Sequence, residues 1–176
     1  MLAGSETGGD NKSMSDAPPQ SPASRSLDAL YKRIILEHNR SPRNARLPDG
    51  YQASARGFDA LCGDDIRVAV CLEGEKLQET GFEGEACAVT TASASLMTEW
   101  VRGRRIDQVL DGARRFRRVL DNPDQPDDPQ LGELNQLRSV SAFPSRVRNA
   151  LLPWKTLEAA LAGKDEVNSV TKEPNP

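Results

Sequence analysis

Aromatic residues and long apolar runs are scarce in this sequence. Of its 176 residues, 5% are aromatic, 37% are hydrophobic and 28% are charged. No apolar run approaches the roughly 20 residues that a helix needs to cross a bilayer. The N-terminus also lacks the basic-then-apolar pattern of a secretory signal. We therefore expect a non-membrane α+β domain with a modest core.

Cysteine and histidine are scarce as well, with three cysteines and one histidine. An odd, small number of cysteines does not make a disulfide framework, which favours a cytoplasmic location. The net charge of −3 argues neither for nor against an anionic partner. An arginine cluster between residues 102 and 118 is interpreted as a solvated face or a docking surface for an acidic partner. Nucleic-acid binding is not expected, because no recognisable binding motif is present.

Composition divides the chain into one candidate domain and two tails. Residues 1–25 are low in hydrophobicity and are interpreted as a disordered tail, and residues 164–176 as a flexible one. Residues 26–163 form the predicted domain. Both Met1 and Met14 stay open as the start of the protein.

Helical periodicity predicts a first helix over "SLDALYKRIILEHN", with Ser26 as its N-cap and His38 on its apolar face as a core histidine. Pro42 ends this helix, and a short strand is expected near 52–58. Four helical stretches follow residue 86, and Pro153 is expected to kink the last of them. The predicted architecture is a small antiparallel sheet covered by helices.

A β-hairpin is predicted between the first two motifs that carry chemistry. Large apolar side chains recur at every second position of residues 66–72, in alternation with the residues at 65, 67, 69 and 71, as in a strand with one buried face. "EGEK" supplies a turn centred near Gly74–Glu75. The second strand is less regular, because Leu77 and Phe82 fall on opposite faces of an uninterrupted strand.

This hairpin predicts that two cysteines meet. The mean of positions 62 and 87 is (62 + 87)/2 = 74.5, which falls on the turn, so Cys62 and Cys87 return to the same open end beside Asp64. Cys87 begins a predicted helix, whose N-terminus favours a thiolate. Two thiols and a carboxylate are a partial site for Zn²⁺ or iron. The alternative is that both cysteines are small buried hydrophobes. Cys71, near the turn, is interpreted as structural.

Four stretches resemble the iron–sulfur cluster assembly scaffolds typified by SufU, IscU and the N-terminal domain of NifU. The resemblance covers Leu27 to Leu161, and the four stretches read "ILEHNRSPRN", "LCGDDIRV", "GFEGEACAVTTASASLMTEWVRG" and "FPSRVRNALLPWKTLEAAL". The long segment before the last motif is similar to the SufU branch. The resemblance implies a three-stranded antiparallel sheet with helices packed on it.

The resemblance also implies a site and partners. Cys62, Asp64 and Cys87 match the family's metal ligands, Cys62 the acceptor of a persulfide, and Arg146 the arginine of the last motif. The implied cofactor is zinc or iron, with a transient iron–sulfur cluster as an alternative. The implied partners are a pyridoxal-phosphate-dependent cysteine desulfurase and other cluster-assembly proteins. A scaffold or sulfur-transfer protein is expected, rather than an enzyme with turnover of its own.

One position departs from the family's pattern. Asn149 stands where the third ligand cysteine is expected, and on a helical wheel it lies off the apolar stripe, so it is predicted to border the site outside the core. An amide is a poorer ligand than a thiolate for zinc or iron, although Asn149 remains a candidate fourth ligand. Two hypotheses follow. The chain is a SufU-type assembly factor, or it is a degenerate adaptor that regulates the desulfurase without metal or sulfur chemistry.

Overall fold

A computed structural model of the protein describes residues 22–170. Most of the predicted N-terminal tail and residues 171–176 lie outside the described residues. The elements, in chain order, are α1 (Pro22–Arg40), β1 (Ala53–Asp59), β2 (Asp64–Glu73), β3 (Lys76–Glu85), α2 (Ala88–Val101), α3 (Ile106–Asp121), a 3₁₀ segment (Gly132–Ala142), α4 (Pro144–Leu161) and β4 (Glu166–Asn168). The α+β class is confirmed.

The sheet has four strands in the order β3-β2-β1-β4, one more than predicted. The three long strands are antiparallel neighbours, and β4 pairs in parallel with β1. The expected flexible tail from residue 164 therefore starts with an ordered strand. Its pairing satisfies an open edge of β1, since Arg56 N donates to Asp165 O at 2.8 Å and Ser169 N to Phe58 O at 3.0 Å.

The hairpin is confirmed, and a bulge explains its irregular second strand. Glu73 pairs with Lys76 across the turn at Gly74–Glu75. Leu72 pairs with Leu77 but Cys71 pairs with Glu79, so Gln78 is an extra residue in β3. An extra residue reverses the alternation of side chains beyond it. Leu77 and Phe82 consequently face the same core, at 0% and 6% exposure.

The first helix begins earlier than predicted. It starts at Pro22, not after Ser26, because proline is well suited to the first turn of a helix. His38 is a buried core histidine, as expected, and its Nδ1 lies 2.7 Å from Ser95 Oγ. Burial, and secondarily the Arg43 guanidinium, lower the pKa of His38 from its ordinary value of 6.5.

The last helix, α4, packs across the sheet and against α2. α4 runs without interruption through Pro153, and its Trp154 is fully buried against Phe116, with ring centroids 5.4 Å apart. A Cβ added at Gly57 of β1 would collide with Thr156, so α4 lies directly on β1. Phe143 is 48% exposed because it lies before the first turn of α4. No helix within residues 22–170 is long and apolar enough to span a membrane.

Candidate functional site

The candidate site lies at the open end of the β2–β3 hairpin. Asp64 begins β2 and Glu85 ends β3, and the neighbouring pair Asp65–Glu85 is the last of the ladder. Cys62 precedes this end and Cys87 follows it as the N-cap residue of α2. The hairpin prediction thus placed both cysteines at the correct end.

A buried hydrogen-bond network joins β2 to the start of α2. Asp64 is 2% exposed, and its Oδ1 accepts a hydrogen bond of 2.7 Å from the backbone N–H of Cys87. Asp64 Oδ2 accepts one of 2.5 Å from the hydroxyl of Thr90 and lies 3.4 Å from Cys87 Sγ. Both carboxylate oxygens therefore hold the first turn of α2 against β2.

Asn149 completes this network from α4. Its Nδ2 donates to Cys87 Sγ at 3.3 Å, and its backbone oxygen lies 3.2 Å from Thr90 Oγ1. Asn149 borders the site as predicted, but it is also buried, at 6% exposure, because α4 packs across the sheet and α2. Its Oδ1 is buried without a hydrogen-bond partner in the described residues. The site thus contains an unused oxygen acceptor.

Cys62 is exposed on the loop between β1 and β2, and its backbone is held by a hydrogen bond to a buried carboxylate. The carboxylate of Asp59, at the end of β1, accepts hydrogen bonds from the backbone N–H groups of Leu61 at 2.9 Å and Cys62 at 3.2 Å. Gly63 has a φ of +74°, which glycine adopts without strain. The thiol is therefore accessible while its backbone is fixed.

The expected thiolate character of Cys87 is not what its surroundings favour. Burial raises the pKa of the Cys87 thiol, and the nearby carboxylate of Asp64 adds to the increase. Hydrogen bonds from Thr90 and from the start of α2 act in the opposite direction, and they are outweighed. The helix N-terminus lies where the sequence predicted it, but desolvation of the half-buried Cys87 thiolate dominates.

The other residues singled out from the sequence lie at different distances from this network. Arg146 is exposed near the N-terminus of α4, with its guanidinium 4.4 Å from the centre of the Phe143 ring. It also interacts with Tyr31, whose pKa is raised by burial and by proximity to Cys87, with Arg146 acting against both. Cys71 lies at the turn end of β2, where its Sγ is 3.6 Å from Asp49 O.

The arginine cluster is a network of ion pairs on the surface. Arg115 pairs with Asp111 at 2.5 Å and with Asp128 at 3.0 Å, and Arg105 pairs with Asp107 at 3.1 Å. These pairs neutralise much of the cluster within the chain. The interpretation as a solvated face agrees with this arrangement.

The residue types fit zinc or iron, but their placement fits only in part. Cys87, Asp64 and Asn149 are in contact, whereas Cys62 lies on the exposed loop. Within residues 22–170, no three His, Cys, Asp or Glu side chains are grouped as a metal site. The buried, unused Oδ1 of Asn149 is the feature that favours an additional ligand in this pocket.

Sequence reasoning missed three residues that shape the site. Thr90 lies three positions after the helix start at Cys87, a spacing at which N-terminal side chains reach each other. Asp59 precedes two backbone N–H groups from which its carboxylate can accept hydrogen bonds, as in an Asx-turn. These local signals could have identified Thr90 and Asp59. Ser169, which donates to Asp59 at 2.7 Å, carries no such signal because 110 residues separate the two.

Comparison with known proteins shows the family to which the chain belongs. The family model for the NifU-like N-terminal domain matches residues 30–150. The chain belongs to this family. The NifU-like domain includes all of the residues of the pocket, from Cys62 to Asn149.

Several relatives of this NifU-like chain have names. It is 35% identical over 143 residues to the zinc-dependent sulfurtransferase SufU of Bacillus subtilis, covering 81% of this chain and 96% of that protein. It is 29% identical over 147 residues to the iron–sulfur cluster assembly scaffold protein IscU of Streptococcus pyogenes, covering 84% and 92%. A crystal structure from Fervidobacterium islandicum, assigned as a cluster assembly scaffold for the SUF system, superposes with a TM-score of 0.69 at 27% identity, covering 76% and 97%.

Proposed function

We propose that this protein is an iron–sulfur cluster assembly factor of the SufU type, which accepts sulfur on Cys62 from a cysteine desulfurase. The observation that carries the proposal is an exposed thiol on a fixed backbone, at Cys62, next to the hydrogen-bonded pair of buried Asp64 and half-buried Cys87. The similarity to a named sulfurtransferase over nearly its whole length supports it.

The proposed transfer is an exchange of one sulfur atom. The thiolate of Cys62 attacks the terminal sulfur of a persulfide on the desulfurase, forming a new S–S bond. The S–S bond of the donor breaks, and the donor cysteine leaves as a thiolate. The electrons balance without an external oxidant or reductant. Exposure of Cys62 is required for this step, since a buried thiol could not reach a donor on another protein.

We further propose that the pocket binds zinc or iron weakly, through Cys62, Asp64 and Cys87, with the Oδ1 of Asn149 as the fourth ligand. Zinc in such a site would stabilise the thiolate form of its cysteine ligands. Two of these ligands are soft thiolates and two are harder oxygen donors, which bind zinc and iron less strongly than a thiolate does. The affinity for the metal is therefore expected to be lower than that of a site with three cysteines. A transient cluster is the corresponding proposal for iron.

Sulfur loading of single-cysteine variants tests the proposal. The wild type, Cys62→Ser and the control Cys71→Ser are incubated anaerobically with a purified cysteine desulfurase and free cysteine, then digested with trypsin. Arg56, Arg67, Lys76 and Arg102 place the three cysteines on three different peptides. One added sulfur atom is expected on the 57–67 peptide of the wild type and of Cys71→Ser. Loading that persists in Cys62→Ser contradicts the proposal.

A second candidate function is regulation of the desulfurase without sulfur or metal chemistry. Asn149 favours it, because the amide donates a hydrogen bond to Cys87 where a ligand cysteine is expected. The variant Cys62→Ser/Cys87→Ser separates the two functions. If it binds the desulfurase and changes its cysteine turnover as the wild type does, the regulator is the better description. If the variant loses both the binding and the change in turnover, the assembly factor is the better description.

A further inference from the structure

The carboxylate of Asp59 is fully buried at the end of β1, at 0% exposure. Its Oδ1 accepts from the backbone N–H groups of Leu61 and Cys62, and its own backbone oxygen accepts from Gly63 N at 2.8 Å. Three successive N–H groups of the loop thus bind one residue. Because Cys62 is the middle one, the direction of its side chain is set by Asp59.

The other oxygen of this carboxylate is held by two distant parts of the chain. Asp59 Oδ2 accepts from the hydroxyl of Ser169, just after β4, at 2.7 Å, and lies 3.4 Å from Arg148 Nε of α4. Arg148 is adjacent to Asn149, whose side chain lies in the pocket. Asp59 therefore joins the Cys62 loop to the helix and the strand that flank the pocket.

The carboxylate of Asp59 is not required for the pairing of β1 with β2. The strand pairing of Asp59 with Asp64 uses backbone groups, which any residue supplies. A buried carboxylate is unfavourable unless hydrogen bonds compensate it, and here the Cys62 loop, Ser169 and Arg148 supply them. A carboxylate adds two oxygen acceptors. Oδ1 binds the two neighbouring N–H groups of the loop, and Oδ2 binds Ser169 and lies near Arg148.

We infer that Asp59 is a positioning residue for Cys62, and that Ser169, at the end of β4, holds Asp59 in this role. The inference rests on the proposed function, because it assigns the Cys62 loop to sulfur acceptance. It adds that the C-terminal strand, outside the four motifs of the family resemblance, controls the geometry of the acceptor loop.

Amide exchange in the full-length protein tests the geometry without any partner. In Asp59→Ala, exchange at residues 61–63 is expected to accelerate about tenfold or more relative to the amides of β2 and β3. Asp59→Asn keeps an oxygen acceptor for the same N–H groups and is expected to restore most of the protection. Asp111→Asn, a half-buried aspartate of α3 outside the Cys62 loop, is the control. Unchanged exchange at 61–63 in Asp59→Ala overturns the inference.

Sulfur loading tests the functional part. Two rates are measured for Cys62 in the 57–67 peptide: sulfur loading by the desulfurase and alkylation by iodoacetamide. The first rate is divided by the second, and the alkylation of Cys71 is the internal reference. Asp59→Ala is expected to reduce loading about tenfold or more, since docked transfer depends on the position of the thiol. Alkylation of the exposed thiol is expected to stay within about twofold. Equal changes in both rates overturn the positioning role. If the wild type does not load sulfur, the proposed function fails, and amide exchange still decides about Asp59.

Ser169→Ala decides the matter if Asp59→Ala does not fold. It leaves the carboxylate and the loop intact and removes only the outer hydrogen bond. Faster exchange at 61–63 and slower loading, both smaller in size than for Asp59→Ala, are expected. Exchange and loading equal to those of the wild type overturn the role assigned to the C-terminal strand.

Discussion

The hydroxyl of Thr90 is the most direct place to test whether the buried network stabilises the site. Thr90→Val replaces the hydroxyl by a methyl group of nearly the same size and keeps a similar helix propensity. In the wild type the hydroxyl donates to Asp64 Oδ2 at 2.5 Å, and both residues are buried. The variant leaves this oxygen with only the weak donor Cys87 Sγ, at 3.4 Å.

The expected loss of stability follows from the chemistry of the lost contact. A hydrogen bond to a carboxylate contributes about 1.5–3 kcal/mol, and a buried acceptor left without its partner loses that contribution in full. For a chain of this size, 1 kcal/mol corresponds to about 2–4 °C in Tm, so a decrease of roughly 3–12 °C is expected. Urea unfolding followed by circular dichroism gives the free energy of unfolding directly.

Two variants make this measurement specific. Thr91→Val changes the neighbouring, half-buried threonine outside the Asp64 network and is expected to change stability by less than about 0.5 kcal/mol. Thr90→Ser keeps the hydroxyl and is expected to recover much of the loss. If Thr90→Val and Thr91→Val agree within that margin, the Thr90–Asp64 hydrogen bond does not stabilise the fold and the reasoning is wrong.

Two further predictions concern metal and pH. Asn149→Cys supplies a third thiolate and is expected to raise the zinc content of anaerobically purified protein to near one per chain, as measured by mass spectrometry of the metal; equal content in the control Asn149→Ser would contradict this. The lowered pKa of buried His38 means that the unfolded chain binds a proton near pH 6.5 while the folded chain does not. This contribution to stability is therefore expected to be fully present above about pH 6.5 and to be lost as the pH falls below it through the lowered folded-state pKa, by up to about 1.4 kcal/mol for each unit by which the pKa is lowered. His38→Gln is expected to flatten this dependence in urea unfolding, and an equally steep decrease in the variant would refute the assignment.

The central hairpin could be predicted because its information is local. Ile66, Val68 and Val70 occupy every second position of β2, and a two-residue turn at Gly74–Glu75 fixes the register of the hairpin. The mean position of Cys62 and Cys87 then identifies the end of the hairpin beside which both cysteines lie. The phase of β3 could not be predicted, because the bulge at Gln78 is defined only by the pairing of two strands.

The C-terminal strand was missed for a different reason. β4 has three residues, from Glu166 to Asn168, which is too short for a periodic pattern. Its stability comes from pairing with the edge of β1 and from the hydrogen bond between Ser169 and Asp59. Contacts of this kind between distant residues are not encoded in any local window, so composition predicted a flexible tail instead.

Asn149 shows how the family pattern and the physical environment complement each other. The motif identified the position, but only the packing of α4 across the sheet and α2 shows that its side chain reaches Cys87. A third thiolate here would bring another negative charge into a pocket that already buries the carboxylate of Asp64, and such a pocket needs a cation. The neutral amide instead donates to the sulfur of Cys87 and leaves one oxygen acceptor unused. The substitution is therefore expected to lower the dependence of the pocket on a metal, while the thiol of Cys62, on the loop held by Asp59, stays exposed at its edge.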